Sequence, residues 1–190
     1  MIALFVFSAY MLNRLAFMLS PVALAIILGY SYTKRFTDYS HFVLGLALAI
    51  APVGAWIAIN EEFHPVAILL GAAVLFWTAG FDLIYACQDI EFDRRAGLHS
   101  LSKRLGPAKA LALSATLHAL MVAILFAVMA AAKLGMLFLG GIVLVAALLV
   151  YEHSIVKPHD LSRVNAAFFN VNGAVSLLLM ALTIADIMIR

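Results

Sequence analysis

The sequence predicts an all-α fold: a polytopic transmembrane helical bundle with six full spans and a short N-terminal stub. Three observations carry that expectation. Hydrophobic residues make up 66% of the chain and charged residues 12%, whereas a soluble domain runs near half apolar and a quarter charged. Six stretches are each long and apolar enough to cross a bilayer, which takes about 20 residues. The basic residues gather in alternate connections between those stretches.

Residues 1–12, MIALFVFSAYML, are apolar but too short to span before Asn13 and Arg14 interrupt them. With no basic region ahead and no small-residue cleavage site behind, they do not form a signal peptide. They read as the tail of a helix. Spans are expected over 15–33, 41–60, 65–86, 107–131, 134–153 and 166–189. The connections are short, with no repeat and no linker rich in Pro, Gly or Ser. Residues 1–190 therefore form one membrane domain with no soluble module. Small residues such as Gly71, Ala72, Ala73, Gly140 and Gly141 are expected at close helix contacts. The single cysteine, Cys87, excludes an intramolecular disulfide and reads as a packing residue. A net charge of +2 is too small to suggest a nucleic-acid partner.

Alternating spans place the loops 34–40, 87–107 and 153–165 on one side. That side holds nine cations: Lys34, Arg35, Arg94, Arg95, Lys103, Arg104, Lys109, Lys157 and Arg163. The other side holds three, Arg14, Lys133 and Arg190. Such a bias puts the charged loops in the cytoplasm.

The stretch FDLIYACQDIEFDRRAGLHSL, Phe81 to Leu101, concentrates four acids and two arginines within fourteen residues of an otherwise oily chain. At helical spacing, Asp82, Asp89 and Asp93 return to one face, with Tyr85 beside them and Glu91 pointing elsewhere. Carboxylates at membrane depth are costly and face an interior or a wet cavity. Oxygen ligands suit Mg²⁺, which is commonly held by one or two carboxylates plus substrate phosphates. Lys34 and Arg35 in YTKRFT, with Lys103 and Arg104 in SKRLG, add donors for a phosphate-rich anion at the same face. In a membrane the natural anion is a lipid diphosphate. Spacing alone leaves two other readings open: a solvated loop balancing its own charge, and a proton or ion pathway.

DLIYACQDIEFDRRAGLHS resembles the second aspartate-rich motif of the UbiA superfamily of membrane prenyltransferases, D-x-x-Y-A-x-x-D-x-x-x-D followed by Gly and Ser. YSYTKRFT resembles that family's Y-x-x-x-K-R-x-T loop, and LSPVAL and LGLALAIAPVGAWIA are also similar to it. The resemblance covers essentially the whole chain in order. It is nearest the bacterial 4-hydroxybenzoate polyprenyltransferase-like group serving ubiquinone or menaquinone synthesis, with the GLHS ending leaning toward menaquinone. It implies an inner-membrane enzyme, active at the cytoplasmic face, that joins a polyprenyl diphosphate to an aromatic acid. It also implies Mg²⁺ on Asp89 and Asp93, a pocket shaped by Asp82 and Tyr85, and diphosphate or aromatic-acid contacts from Lys34 and Arg35. Ser102 departs from the family, where many relatives have Pro, and is expected to change only how the next helix starts.

The family's first motif, N-x-x-x-D-x-x-x-D, is not found. Before Asp82 the acids are Asp38, Glu61 and Glu62, none with that spacing after an Asn. The chain therefore reads as the C-terminal two thirds of such a domain, inactive alone. Among other polar residues, His118 is expected to hydrogen-bond a neighbouring helix. Asn165 and Asn172 share a face at helical spacing, available for interhelical bonds or, at Asn172, for substrate. His99 is open between diphosphate contact and loop solvation, and Asp186 reads as interfacial. A transporter or ion-coupled channel is the main alternative, but its ionisable groups would sit near mid-membrane in repeated halves. A CDP-alcohol phosphotransferase would need D-G-x-x-A-R, which is absent.

Overall fold

The computed structural model describes residues 1–189, and its regular elements are helices. They run α1 (Ile2–Leu12), α2 (Arg14–Gly29) with a 3-10 turn at Tyr30–Arg35, α3 (Ser40–Asn60), α4 (Pro65–Ala86), α5 (Ile90–Arg95) and α6 (Leu101–Leu105). Then come α7 (Pro107–Ala131), α8 (Met136–Ile155), a π-helical turn at Ala166–Val171 and α9 (Asn172–Ile189). Among the described residues, six segments are long and apolar enough to cross a membrane: Arg14–Arg35, Ser40–Asn60, Pro65–Ala86, Pro107–Ala131, Met136–Ile155 and Ala166–Ile189. Each matches an expected span to within two residues at either end. Arg190, one of the three cations assigned to the outer side, lies outside the described residues.

Local chemistry sets the boundaries. The extended Asn13 separates α1 from α2; its Oδ1 accepts from the Ala16 amide at 2.8 Å. Its Nδ2 donates to the Ile57 carbonyl at 2.7 Å, pinning this corner to the end of α3. α4 and α7 both open on proline, whose missing N–H is no loss in a first helical turn. Gly106, at φ +77°, supplies the left-handed backbone between α6 and α7.

Packing follows the periodicity. Met121, Leu125 and Val128 on α7 meet Phe138, Ile142, Val145 and Leu149 on α8 in one buried cluster, each set at steps of three and four. α3 and α4 approach to backbone contact: a Cβ on Gly45 would lie 2.5 Å from the Leu75 carbonyl oxygen. Gly71 does act as a close contact, with the Ala49 carbonyl 3.2 Å from where its Cβ would be. Gly140 does not; nothing lies within 4 Å of its Cβ position, while Gly141 beside it packs on Leu182.

Two expectations for the last span are corrected. Asp186 is buried rather than interfacial. Its carboxylate accepts from the amides of Gly135 at 2.6 Å, Leu137 at 3.1 Å and Phe138 at 3.3 Å, capping the N-terminus of α8. That end of a helix presents unpaired N–H groups and partial positive charge, so a carboxylate is well placed there. Asn165 and Asn172 do not share a face, because the wide turn at Ala166–Val171 lies between them; Asn165 is exposed and Asn172 buried.

Candidate active site at one end of the bundle

The carboxylate row of the Asp82–Asp93 stretch is not carried by one continuous helix. α4 ends at Ala86, and the chain tightens there: the Cys87 amide donates to Ile84, Gln88 to Tyr85 and Asp89 to Ala86. Such three-residue bonds are common where a helix closes. Asp89 then precedes α5 and accepts the Asp93 amide on its carbonyl at 2.7 Å. The corner sorts the charges into two groups. Glu91 and Arg94 form an exposed pair at 2.7 Å, and Arg95 turns back to the Glu91 carbonyl, so these three do behave as a solvated loop. Asp82, Asp89 and Asp93 turn inward.

Asp93 is buried, and its partner is Lys34 from the turn after α2, with Nζ 3.4 Å from Oδ2 and 3.5 Å from Oδ1. Asp82 is held by His41 on α3, whose Nδ1–H donates to Oδ2 at 2.6 Å. Asp89, half-buried, interacts electrostatically with Lys34, Asp93 and Asp82. Burial raises its carboxyl above the usual range; the Lys34 charge lowers it, while Asp93 and Asp82 raise it further. Three acids and one lysine from separate stretches of chain thus act on one another. Backbone bonds tie the same stretches together: the His99 amide donates to the Lys34 carbonyl at 2.7 Å, and the Leu98 amide to the Asp93 carbonyl at 2.9 Å.

The other expected residues take different places. Lys103 donates to the Leu98 carbonyl, bracing the loop before α6. Arg104 pairs with Asp38 at 3.3 Å and His99 approaches the same carboxylate at 3.4 Å, so both tether the loop after α2. Arg35 is exposed, its guanidinium 5.4 Å from the Tyr32 ring centre. Tyr85 packs its ring on Phe168 at 4.6 Å. Of the two roles open to Asn172, the structure shows the interhelical one: it accepts from Trp77 Nε1 at 2.8 Å and donates to Glu152. Cys87 is buried as expected, and desolvation pushes its thiol up to about 11. Ser102 does more than start a helix; its hydroxyl donates to the Leu83 carbonyl at 3.1 Å and joins α6 to α4.

Sequence reasoning missed His41. A histidine opening a hydrophobic span gives no signal until the fold sets it against Asp82, 41 residues away. A cavity of about 730 Å³ lies among α1 to α4 and is lined by apolar residues such as Ala23, Ile27, Leu46 and Ile50. None of the carboxylates borders it.

Comparison with known proteins identifies the family and the fold. A profile described as the UbiA prenyltransferase family matches residues 1–174. A 4-hydroxybenzoate octaprenyltransferase of Aromatoleum aromaticum is 30% identical over 173 residues, 91% of this chain and 58% of the relative. A 4-hydroxybenzoate solanesyltransferase of Synechocystis is 36% identical over 92 residues, 48% of this chain and 32% of the relative. The chain spans between 52% and 58% of the length of three octaprenyltransferases that it matches. Among solved structures, the apo form of a UbiA homolog from Aeropyrum pernix K1 superposes with a TM-score of 0.86 at 36% identity. That superposition covers 98% of this chain and 69% of the other.

Proposed function

Because the chain belongs to the UbiA prenyltransferase family, we propose that its charged end handles the diphosphate of a polyprenyl donor in prenyl transfer to an aromatic acid of the 4-hydroxybenzoate type. The observation that carries this reading is the meeting of Asp82, Asp89 and Asp93 with Lys34 at one end of the spans. The names of the relatives, which pair 4-hydroxybenzoate with octaprenyl and solanesyl groups, support the acceptor class. A product of this kind fits ubiquinone or menaquinone biosynthesis.

The donor set fits Mg²⁺. All three acids offer oxygen, which hard cations prefer, and Lys34 is the one cationic side chain within bonding distance of them among the described residues. The Asp89 carboxylate accepts no hydrogen bond among those residues, although it is half-buried among like charges. Asp89 and Asp93 would hold the ion, which when bound supplies positive charge against the departing diphosphate. The chain's own groups do the rest. His41 fixes the Asp82 carboxylate, and Lys34 holds Asp93 and presents charge to the phosphate oxygens. As the allylic C–O bond breaks, the prenyl group develops cationic character. The ring carbon ortho to the acceptor's hydroxyl attacks it, and that carbon then loses its proton. Apolar spans hold the polyprenyl tail.

The test is binding of a non-hydrolysable prenyl diphosphate analogue to the purified chain in detergent, with Mg²⁺ and then with EDTA. Binding should be weak, because these 190 residues carry one carboxylate cluster, and at least about tenfold weaker in EDTA. Equal binding in both conditions refutes the metal-dependent reading.

The same proposal places this end in the cytoplasm. Single cysteines at Lys103 and His64, in a Cys87→Ser background, should label oppositely with a membrane-impermeant thiol reagent. Labelling at position 103 from outside intact cells reverses the orientation.

A further inference from the structure

Away from the aspartates, a second polar cluster is buried between spans. His118 lies on α7 about 16 Å of helix from its start. Glu152 and His153 lie in the last turn of α8. His118 is 2% exposed and Glu152 is fully buried. The three offer ligand atoms that all lie within 4.8 Å of one another.

The hydrogen bonds fix what each atom presents. His118 Nε2 lies 3.3 Å from the Trp77 carbonyl. A carbonyl only accepts, so Nε2 carries the hydrogen and a neutral ring turns the bare lone pair of Nδ1 inward. That lone pair lies 3.0 Å from His153 Nε2 and 3.5 Å from Glu152 Oε2. Asn172 is oriented from behind: Trp77 Nε1–H donates to its Oδ1, which leaves its Nδ2 to donate to Glu152 Oε1 at 3.4 Å. The other carboxylate oxygen, Oε2, is buried without a hydrogen-bond partner among the described residues and faces the imidazoles. Two imidazole nitrogens and a carboxylate oxygen therefore converge with at most one ring hydrogen between them.

We propose that His118 Nδ1, His153 Nε2 and Glu152 Oε2 bind a divalent transition-metal ion of the Zn²⁺ type, which joins α7 to α8 inside the bundle. The separations support it. Zinc bonds of about 2.0–2.1 Å in a tetrahedron put neighbouring ligand atoms about 3.3 Å apart, and the two shortest separations here are 3.0 Å and 3.5 Å. Two imidazoles with one carboxylate suit zinc better than magnesium. The supports are those of a metal ligand set: a backbone carbonyl receives the spare N–H of His118, and an amide holds the spare oxygen of Glu152. The backbone is shaped around the ring as well. A Cβ on Gly80 would stand 2.4 Å from the His118 imidazole. His153 is half-buried, the most open of the three.

Untagged protein purified in detergent is stripped with a chelator, titrated with Zn²⁺, desalted and assayed for metal. About one zinc per chain is expected, along with a Co²⁺ derivative showing strong visible absorption. Glu152→Gln, close to isosteric, should lower zinc affinity by more than tenfold and abolish the cobalt spectrum. His153→Gln, at the more open edge, does the same and serves if the Glu152 variant does not fold. Asn172→Ala should weaken zinc by about 10- to 100-fold by releasing the carboxylate. Asp89→Asn should keep full zinc, which separates this site from the aspartates. Wild-type protein that retains no zinc overturns the proposal and makes the cluster a closed hydrogen-bond network. Variants that retain as much zinc as wild type overturn it equally.

Discussion

Asp89→Asn should lower the Mg²⁺-dependent affinity for a prenyl diphosphate analogue by about 10²-fold, the scale of losing one charged, preorganised contact. The same substitution should raise thermal stability when EDTA is present. The two effects have opposite signs for one reason. Burial and the neighbouring Asp93 and Asp82 hold the Asp89 carboxyl above its ordinary value, with Lys34 only partly offsetting them. A carboxyl whose folded-state value is raised contributes stability at low pH, and that contribution is lost as pH rises through the folded value. At neutral pH the ionised group therefore works against folding, and a neutral amide of the same shape relieves it. Melting curves in EDTA across pH 4 to 8 check the sign: wild type should fall relative to the variant as pH rises. If the variant binds the analogue as tightly as wild type, Asp89 is not a metal ligand. If it melts lower in EDTA at neutral pH, the crowding argument fails.

Asp186→Ala should cost about 2 kcal/mol, the upper range for losing a helix N-cap, which is roughly 4–8 °C in melting temperature for a chain of this size. The carboxylate serves the Gly135, Leu137 and Phe138 amides together, and both Asp186 and Phe138 are buried. Losing it leaves three N–H groups at the start of α8 without this acceptor, and the Phe138 amide among them is buried. Asp186→Asn keeps one acceptor oxygen and should cost less. Unchanged melting of the alanine variant means that the cap contributes nothing.

What the sequence disclosed and what it withheld divide along sequence distance. The spans were legible because each is a local property: some twenty apolar residues in a row, bounded by Asn13, Gly106 or a proline at the next helix start. The aspartates were legible because seven- and four-residue spacings are informative even when a corner interrupts the helix. Lys34 could be placed at the same face from alternation alone, but not paired with Asp93 across 59 residues. His41, Glu152 and His153 were illegible for the same reason. The partner of each lies on another helix. Arg104 and Lys103 were read as anion donors because charge in a loop carries no direction; the fold turns one to Asp38 and the other to the Leu98 carbonyl. Asp186 was misread for want of one fact, that α8 begins beside it.

The wide turn at Ala166–Val171 has an effect beyond its own six residues. A π turn is, in effect, an α-helix with one residue inserted, and each residue turns the remainder of the helix by about 100°. The register of the whole last span is set there. Asn172, one residue past the turn, and Asp186, fourteen further on, come round to nearly the same side. One then meets Glu152 at the end of α8, and the other meets the Gly135 amide at its start. A single surplus residue thus phases both ends of α9 against one neighbour at once. Any length change between Arg163 and Asn172 would uncouple the two contacts together, whatever residues were kept.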